Sequence, residues 1–134
     1  MIHTIRVDYE DMSPEVYSIH TPDDVKFDYL QSEIERWNNI LYSLTEIDYI
    51  EGTIEGRFRK CLEMYFRDDE LELCMQSVKK VDLCNGLSEP YNIYGDEGRN
   101  MDTLLEYLFK EHDDWYLDYS IYHYVYDFDN NSFE

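Results

Sequence analysis

The chain has 134 residues, with 31 aspartates and glutamates against 11 lysines and arginines, for a formal net charge of −20. A hydrophobic share of 43% and an aromatic share of 16% predict a packed core and exclude a disordered acidic tail. This charge opposes direct binding to nucleic acid or to an anionic membrane, and no apolar run is long enough to span a membrane. The first twenty residues lack the apolar block of a signal peptide, so we expect a cytoplasmic protein, in the host cell if a phage encodes it.

The N-terminal part of the sequence predicts one strand and one long helix. Residues 2–9 alternate imperfectly between apolar and polar side chains, which indicates a short strand. Thr21 is typical of a helix N-cap and Pro22 of a first helical position. Apolar residues at spacings of three and four then predict a helix over 22–44. These residues are Phe27, Leu30, Ile34, Trp37, Leu41 and Leu44.

The middle of the chain fits two kinds of secondary structure. Residues 62–66 and 71–75 alternate between apolar and polar side chains on either side of a polar turn, which predicts a β-hairpin. Apolar positions across 53–80, several of them the same residues, also satisfy helical spacing. Because Gly52 and Gly56 weaken a helix, the hairpin is the preferred prediction, although a helical segment stays open.

The C-terminal part predicts a loop, a helix and a tyrosine-rich strand. Glycines and a proline make 85–99 the longest loop-like stretch, and Asn100 is a fitting N-cap for a helix over 101–111. β-favouring residues, among them five tyrosines, then dominate 115–128. The elements together predict an α+β fold in a single domain, 1–134. Its antiparallel sheet would contain the N-terminal strand, the possible central hairpin and the tyrosine-rich strand, packed with two or three helices.

The sequence contains no recognisable motif for catalysis or for a cofactor. Residues 95–98 place two carboxylates where a phosphate-binding loop needs backbone donors. Cys61, Cys74 and Cys84 lie too far apart for the close pair of a zinc finger, and we expect reduced thiols. We therefore predict a protein that is not an enzyme and that holds neither a metal nor a cofactor.

One local cluster combines a histidine with two aspartates, at 112–114. These side chains are ligands that a divalent ion accepts. Because a histidine that can carry positive charge suits a helix C-terminus, a solvated helix end is the preferred interpretation. A small enzyme or metal-binding protein centred on this cluster is the third of three functional hypotheses.

Lysine is scarcer than the rest of the composition predicts. The chain has no alanine but 14 tyrosines, which indicates an AT-rich coding sequence, and such sequences usually supply lysine generously. Only five lysines occur. We infer that selection acted on charge itself.

Acidic residues and tyrosines are interleaved in the C-terminal quarter. Carboxylates two positions apart on a strand lie roughly 6.6–6.8 Å apart, similar to the separation of successive phosphates along a nucleic-acid strand. Tyrosines add hydroxyl hydrogen bonds and cation–π contacts to arginine. The residues predicted to contact a partner are Asp113, Asp114, Trp115, Asp118, Tyr122, Tyr124, Tyr126, Asp127 and Asp129.

These features predict an acidic inhibitor that blocks a basic nucleic-acid-binding protein, such as a nuclease, by mimicking the charge of DNA or RNA. In type the chain resembles the small, acidic anti-restriction and anti-CRISPR proteins of phages and mobile elements, with which it shares no motif. The alternative is an immunity protein or antitoxin that neutralises a basic nuclease toxin, and composition does not separate the two. An edge strand at 115–128 leaves a monomer and a homodimer both open.

Overall fold

The structure is a computed structural model that describes residues 1–8, 14–83 and 101–117. These residues form a three-stranded antiparallel sheet and four α-helices, which confirms the predicted α+β class. The described residues divide into two compact units: 1–8 and 14–29 with 113–117, and 30–83 with 101–112. The single-domain organisation stays a prediction.

The sheet belongs to the first unit and has the strand order β1-β2-β3. β1 (Ile2–Val7) pairs antiparallel with β2 (Glu15–His20) along its whole length. β3 (Tyr116–Leu117) pairs antiparallel with β2 through Ile19 and His20. β1 confirms the predicted N-terminal strand, and β3 confirms the start of the predicted C-terminal strand, whose remainder lies outside the described residues.

The central strand, β2, was not predicted from the sequence. Its consecutive residues Tyr17, Ser18 and Ile19 are all buried. A strand covered on both faces lacks the alternation of apolar and polar residues by which a half-exposed strand is recognised. The residues of β2, which form the longest strand pairing of the sheet, therefore gave no strand signal in the sequence.

α1 (Phe27–Ser43) begins later than the predicted start at Pro22 and ends close to the predicted end. The predicted N-cap is wrong because Thr21 directly follows β2 and lies six positions before the start of α1. Its backbone N–H donates to the Met1 carbonyl at 2.9 Å, and its hydroxyl lies 2.9 Å from His3 Nε2. Thr21 therefore extends the β1–β2 pairing and does not cap α1. A 3-10 helix, Leu44–Tyr49, follows α1 directly.

Two helices replace the predicted β-hairpin, so that prediction is wrong: α2 (Ile54–Leu62) and α3 (Asp68–Lys80). Leu73, which a strand would bury on one face with Leu71, is instead 49% exposed. The helical alternative for this segment is the correct one. The buried face of α3 has helical spacing: Leu71, Cys74, Met75 and Val78.

Local capping and charge explain why helices form here. Thr53 Oγ1 accepts a hydrogen bond from the Gly56 N–H at 3.1 Å, which caps α2. The first turn of α3 is acidic at 68–70, and its last turn carries Lys79 and Lys80. Both placements complement the helix dipole. These signals outweigh the apparent alternation and the glycine at position 56.

α4 (Met101–Glu111) has the predicted bounds. Its residues Leu104, Leu105 and Leu108 are buried and have helical spacing. Asn100 and the predicted loop at 85–99 lie outside the described residues. The core of the second unit contains fully buried side chains from several elements, including Leu30, Trp37, Ile40, Leu41, Leu44, Phe58, Leu62, Leu105 and Leu108.

Candidate functional site

The structure describes three of the nine residues predicted to contact a partner. Asp113 and Asp114 are exposed in the turn between α4 and β3. Trp115 is buried, and its ring stands edge-on to that of Tyr29, with centroids 6.0 Å apart. The predicted contact face stays a prediction, because its other six members lie outside the described residues. These are Asp118, Tyr122, Tyr124, Tyr126, Asp127 and Asp129.

A buried polar network joins α1, α3 and the end of α4 in the second unit. Its centre is Arg36, which uses all five of its N–H donors. Nε donates to Glu33, Nη2 donates to both Glu33 and Glu111, and Nη1 donates to Ser77 and to the Cys74 thiol. The nitrogen–oxygen distances are 2.6–2.9 Å. The residues called the ionic cluster below are Glu33, Arg36, Ser77, Glu111 and His112.

The two carboxylates of the ionic cluster are saturated with donors. Glu111 accepts from the Trp37 indole at 2.9 Å and from the Ser77 hydroxyl. Glu33 Oε1 lies 2.7 Å from His112 Nε2, which carries the donated proton because the carboxylate is ionised. Each of the four carboxylate oxygens therefore accepts at least one hydrogen bond within the cluster.

Competing effects set the ionisation of Glu33. Burial alone would raise the pKa of this carboxyl, but hydrogen bonds from His112 and Arg36 outweigh burial and lower its pKa from 4.5 to about 2. For Arg36, burial opposes the charged form, and the contacts with Glu33 and Glu111 raise its pKa further above the ordinary value. The Glu33 carboxylate and the Arg36 guanidinium are thus held in their charged forms at neutral pH.

The ionic cluster also contains a possible set of metal ligands. Glu33, Glu111 and His112 each offer a ligand atom, and these atoms lie within 4.8 Å of one another. The guanidinium of Arg36, however, already bonds to both carboxylates. A cation entering here would have to displace a fully paired arginine, so the geometry fits a structural ion-pair network better than a metal centre.

Of the ionic cluster, only His112 was singled out as a candidate from the sequence. The predicted group at 112–114 is split, because His112 bonds to Glu33 while Asp113 and Asp114 are exposed. The Glu33–Arg36 pair carried a usable signal, since opposite charges three apart on a helix are neighbours. No local pattern marks the contact of Arg36 with Glu111, which lies 75 positions away.

A second feature of the second unit is an open groove of about 400 Å³. It is formed by the end of α1, the 3-10 helix and the turn that follows α2. The rings of Tyr42 and Tyr65 meet edge to face, with centroids 5.8 Å apart. Tyr49 is 83% exposed and Met64 is 52% exposed. The residues called the aromatic groove below are Tyr42, Thr45, Glu46, Tyr49, Ile50, Met64 and Tyr65.

The aromatic groove has negative character. Glu46 is the charged member of the lining, and within the described residues it forms no ion pair. Burial, Tyr42 and Glu46 together raise the pKa of the Tyr65 hydroxyl. Burial and then Glu46 raise the pKa of the nearby Cys61 thiol to about 11, against the influence of Arg57. The groove thus combines tyrosines with a carboxylate that forms no ion pair within the described residues. The sequence predicted the same combination of residue types for the C-terminal contact face.

Comparisons of the chain with protein-family models, with curated proteins and with solved structures give no match. None of the helices in 1–8, 14–83 and 101–117 is long and apolar enough to cross a membrane.

Proposed function

We propose that the protein is an inhibitor that binds a basic nucleic-acid-binding protein, such as a nuclease, and blocks it by presenting charge in the manner of DNA or RNA. The observation that carries this proposal is the net charge of −20 on a folded chain. Arginine and lysine side chains that grip phosphates are attracted to such a surface at long range, which speeds encounter. The inhibitor would be of the anti-restriction or anti-CRISPR type.

The distribution of charge supports the proposal. Most of the lysines and arginines in the described part form ion pairs with carboxylates of the same chain. No ion pair among the described residues involves Glu46, Asp113 or Asp114. The cations that form internal ion pairs are Arg6, Arg36, Arg57, Arg59, Lys79 and Lys110.

Aromatic side chains beside acid add a second line of support. Tyrosine is enriched in protein interfaces because it offers a large, rigid surface with a hydroxyl group, and it pairs well with arginine. We place the activity in the cytoplasm, of the host cell if a phage encodes the protein. The free thiols of Cys61 and Cys74 suit that reducing compartment.

The experiment is affinity capture of the partner from nuclease-treated host lysate, with elution by a salt gradient and, separately, by an added DNA or RNA duplex. The proposal expects a basic nucleic-acid-binding protein that is released by both. A captured partner that is eluted neither by salt nor by the duplex would contradict charge mimicry and favour the immunity-protein alternative. A bait in which Asp113 and Asp114 are replaced by lysine is the matched control for non-specific capture.

A further inference from the structure

We propose that the aromatic groove is the docking site for an arginine side chain in a basic segment of the partner. This inference rests on the proposed function for the identity of the partner. Three properties of the groove support it. Exposed apolar side chains are grouped there, hydrogen bonds hold its backbone in place, and the Glu46 carboxylate lies among tyrosines without an ion pair in the described residues.

The first property is the grouping of exposed apolar side chains. Single exposed apolar residues are normal on a protein surface, whereas a contiguous group marks a place of interaction. Tyr42, Tyr49 and Met64 each expose more than half of their surface, and all line the same groove. The groove volume of about 400 Å³ lies at the lower end of the range for ligand sites, which matches one long side chain with its flanking backbone.

The second property is a framework that is already formed. The Thr45 hydroxyl donates to the Tyr42 carbonyl at 2.8 Å, and the Ile50 N–H donates to the Ile47 carbonyl at 3.3 Å. Arg57 donates to the same Ile47 carbonyl at 2.7 Å and ties α2 to the 3-10 helix. A preformed site costs less ordering entropy when it binds.

The third property is the charge of the lining, and it selects the occupant. No lysine or arginine lines the groove within the described residues, and Arg57 nearby is engaged with the Ile47 carbonyl. A guanidinium stacks on tyrosine rings and bonds to a carboxylate such as Glu46 through two parallel N–H donors. A lysine ammonium is a strongly hydrated point charge and offers neither planar stacking nor a forked contact. The lining therefore favours arginine over lysine.

The test uses three short peptides that differ at one position: arginine, lysine or the uncharged analogue citrulline, each flanked by leucine and glycine. NMR titration of the ¹⁵N-labelled full chain measures affinity and locates the site. We expect the arginine peptide to shift resonances within 42–50 and 64–65 and to bind more tightly than the other two. Glu46→Gln should weaken arginine-peptide binding by about tenfold, the loss of a charged hydrogen-bonding partner.

Glu35→Gln is the matched control, because Glu35 is an exposed α1 carboxylate outside the groove and its replacement makes the same charge change. It should leave peptide affinity within about twofold, as expected for a screened surface charge. Equal binding of the three peptides would overturn the proposal. Shifts confined to other residues, or unchanged binding by Glu46→Gln, would overturn it as well.

The groove and the proposed function fail in different ways. If the groove binds the arginine peptide through Glu46 but capture yields no nucleic-acid-binding protein, the groove proposal stands and the proposed function falls. If capture yields such a protein and Glu46→Gln leaves the affinity for the arginine peptide unchanged, the proposed function stands and the groove proposal falls.

Discussion

Arg36 on α1 donates through Nη2 to the Glu111 carboxylate at the end of α4, at 2.6 Å. The two residues are 75 positions apart, and their side chains are about one-tenth exposed. A buried pair of this kind contributes little net stability over a well-packed apolar pair, but removing one partner leaves the other charge buried and unpaired. Arg36 is therefore the residue of the ionic cluster whose loss should damage the fold of the second unit most.

Arg36→Met should destabilise the protein by about 3–5 kcal/mol, because it leaves Glu33 and Glu111 without their shared cation. Urea unfolding followed by circular dichroism measures this change. Arg59→Met is the control: it breaks the exposed pair of Arg59 with Glu72 and should cost only a small fraction of that amount. Similar losses in the two variants would show that the ionic cluster is not the buried network described here.

The lowered pKa of Glu33 predicts how the stability of the fold depends on pH. Its pKa in the folded protein, about 2, lies below the ordinary 4.5. The ionised carboxylate therefore stabilises the fold above about pH 4.5, and this contribution is lost as the pH falls from there toward about 2.

Comparison of the wild type with Glu33→Gln isolates this contribution, since the other acidic groups titrate in both proteins. The gap in free energy of unfolding should shrink by about 3 kcal/mol as the pH falls from about 5 toward about 2. Urea titrations at a series of pH values, with NMR titration of the Glu33 carboxyl, provide the measurement. A gap that does not change with pH would contradict the lowered pKa.

Two substitutions test the helical assignment of 68–80, because a hairpin would give them similar effects on stability. Leu73 is 49% exposed and Met75 is buried, although an alternating strand would place both on one face. We expect Met75→Ala to cost about 2–5 kcal/mol and Leu73→Ala to cost less than about 1 kcal/mol. Equal losses in thermal or urea unfolding would favour the strand interpretation.

Local patterns were sufficient for β1, for α4 and for most of α1. The bounds of α4, whose buried residues Leu104, Leu105 and Leu108 have helical spacing, were predicted correctly. β2 was missed because Tyr17–Ile19 is buried without alternation, and the segment at 62–75 was misassigned because its composition satisfied two periods at once. Periodicity reports which face is buried only where one face remains exposed.

The candidate sites were harder to predict than the helices, for a related reason. The aromatic groove joins the end of α1 to residues after α2, and the ionic cluster joins 33, 77 and 111. Only the Glu33–Arg36 spacing is local. Net charge, by contrast, needs no structure, so the prediction of a basic partner rests on composition alone.

The exposed aspartates at the end of α4 provide a test of the predicted contact face. Asp113→Lys with Asp114→Lys should leave the unfolding temperature within a few degrees, since both side chains are exposed, and should weaken capture of the partner. Asp24→Lys with Glu35→Lys makes the same charge change at exposed positions outside that face. Equal loss in both double variants, measured by capture at fixed salt, would contradict a site at 113–129 and indicate a response to total charge alone.

Competition at equilibrium tests the central claim most directly. The purified partner is bound to a fluorescently labelled duplex, the protein is added, and anisotropy is followed at several salt concentrations. Charge mimicry predicts complete displacement of the duplex at stoichiometric protein, with an affinity that falls steeply between about 50 and 200 mM salt. A duplex that stays bound while the protein also binds, in a ternary complex insensitive to salt, would contradict the account.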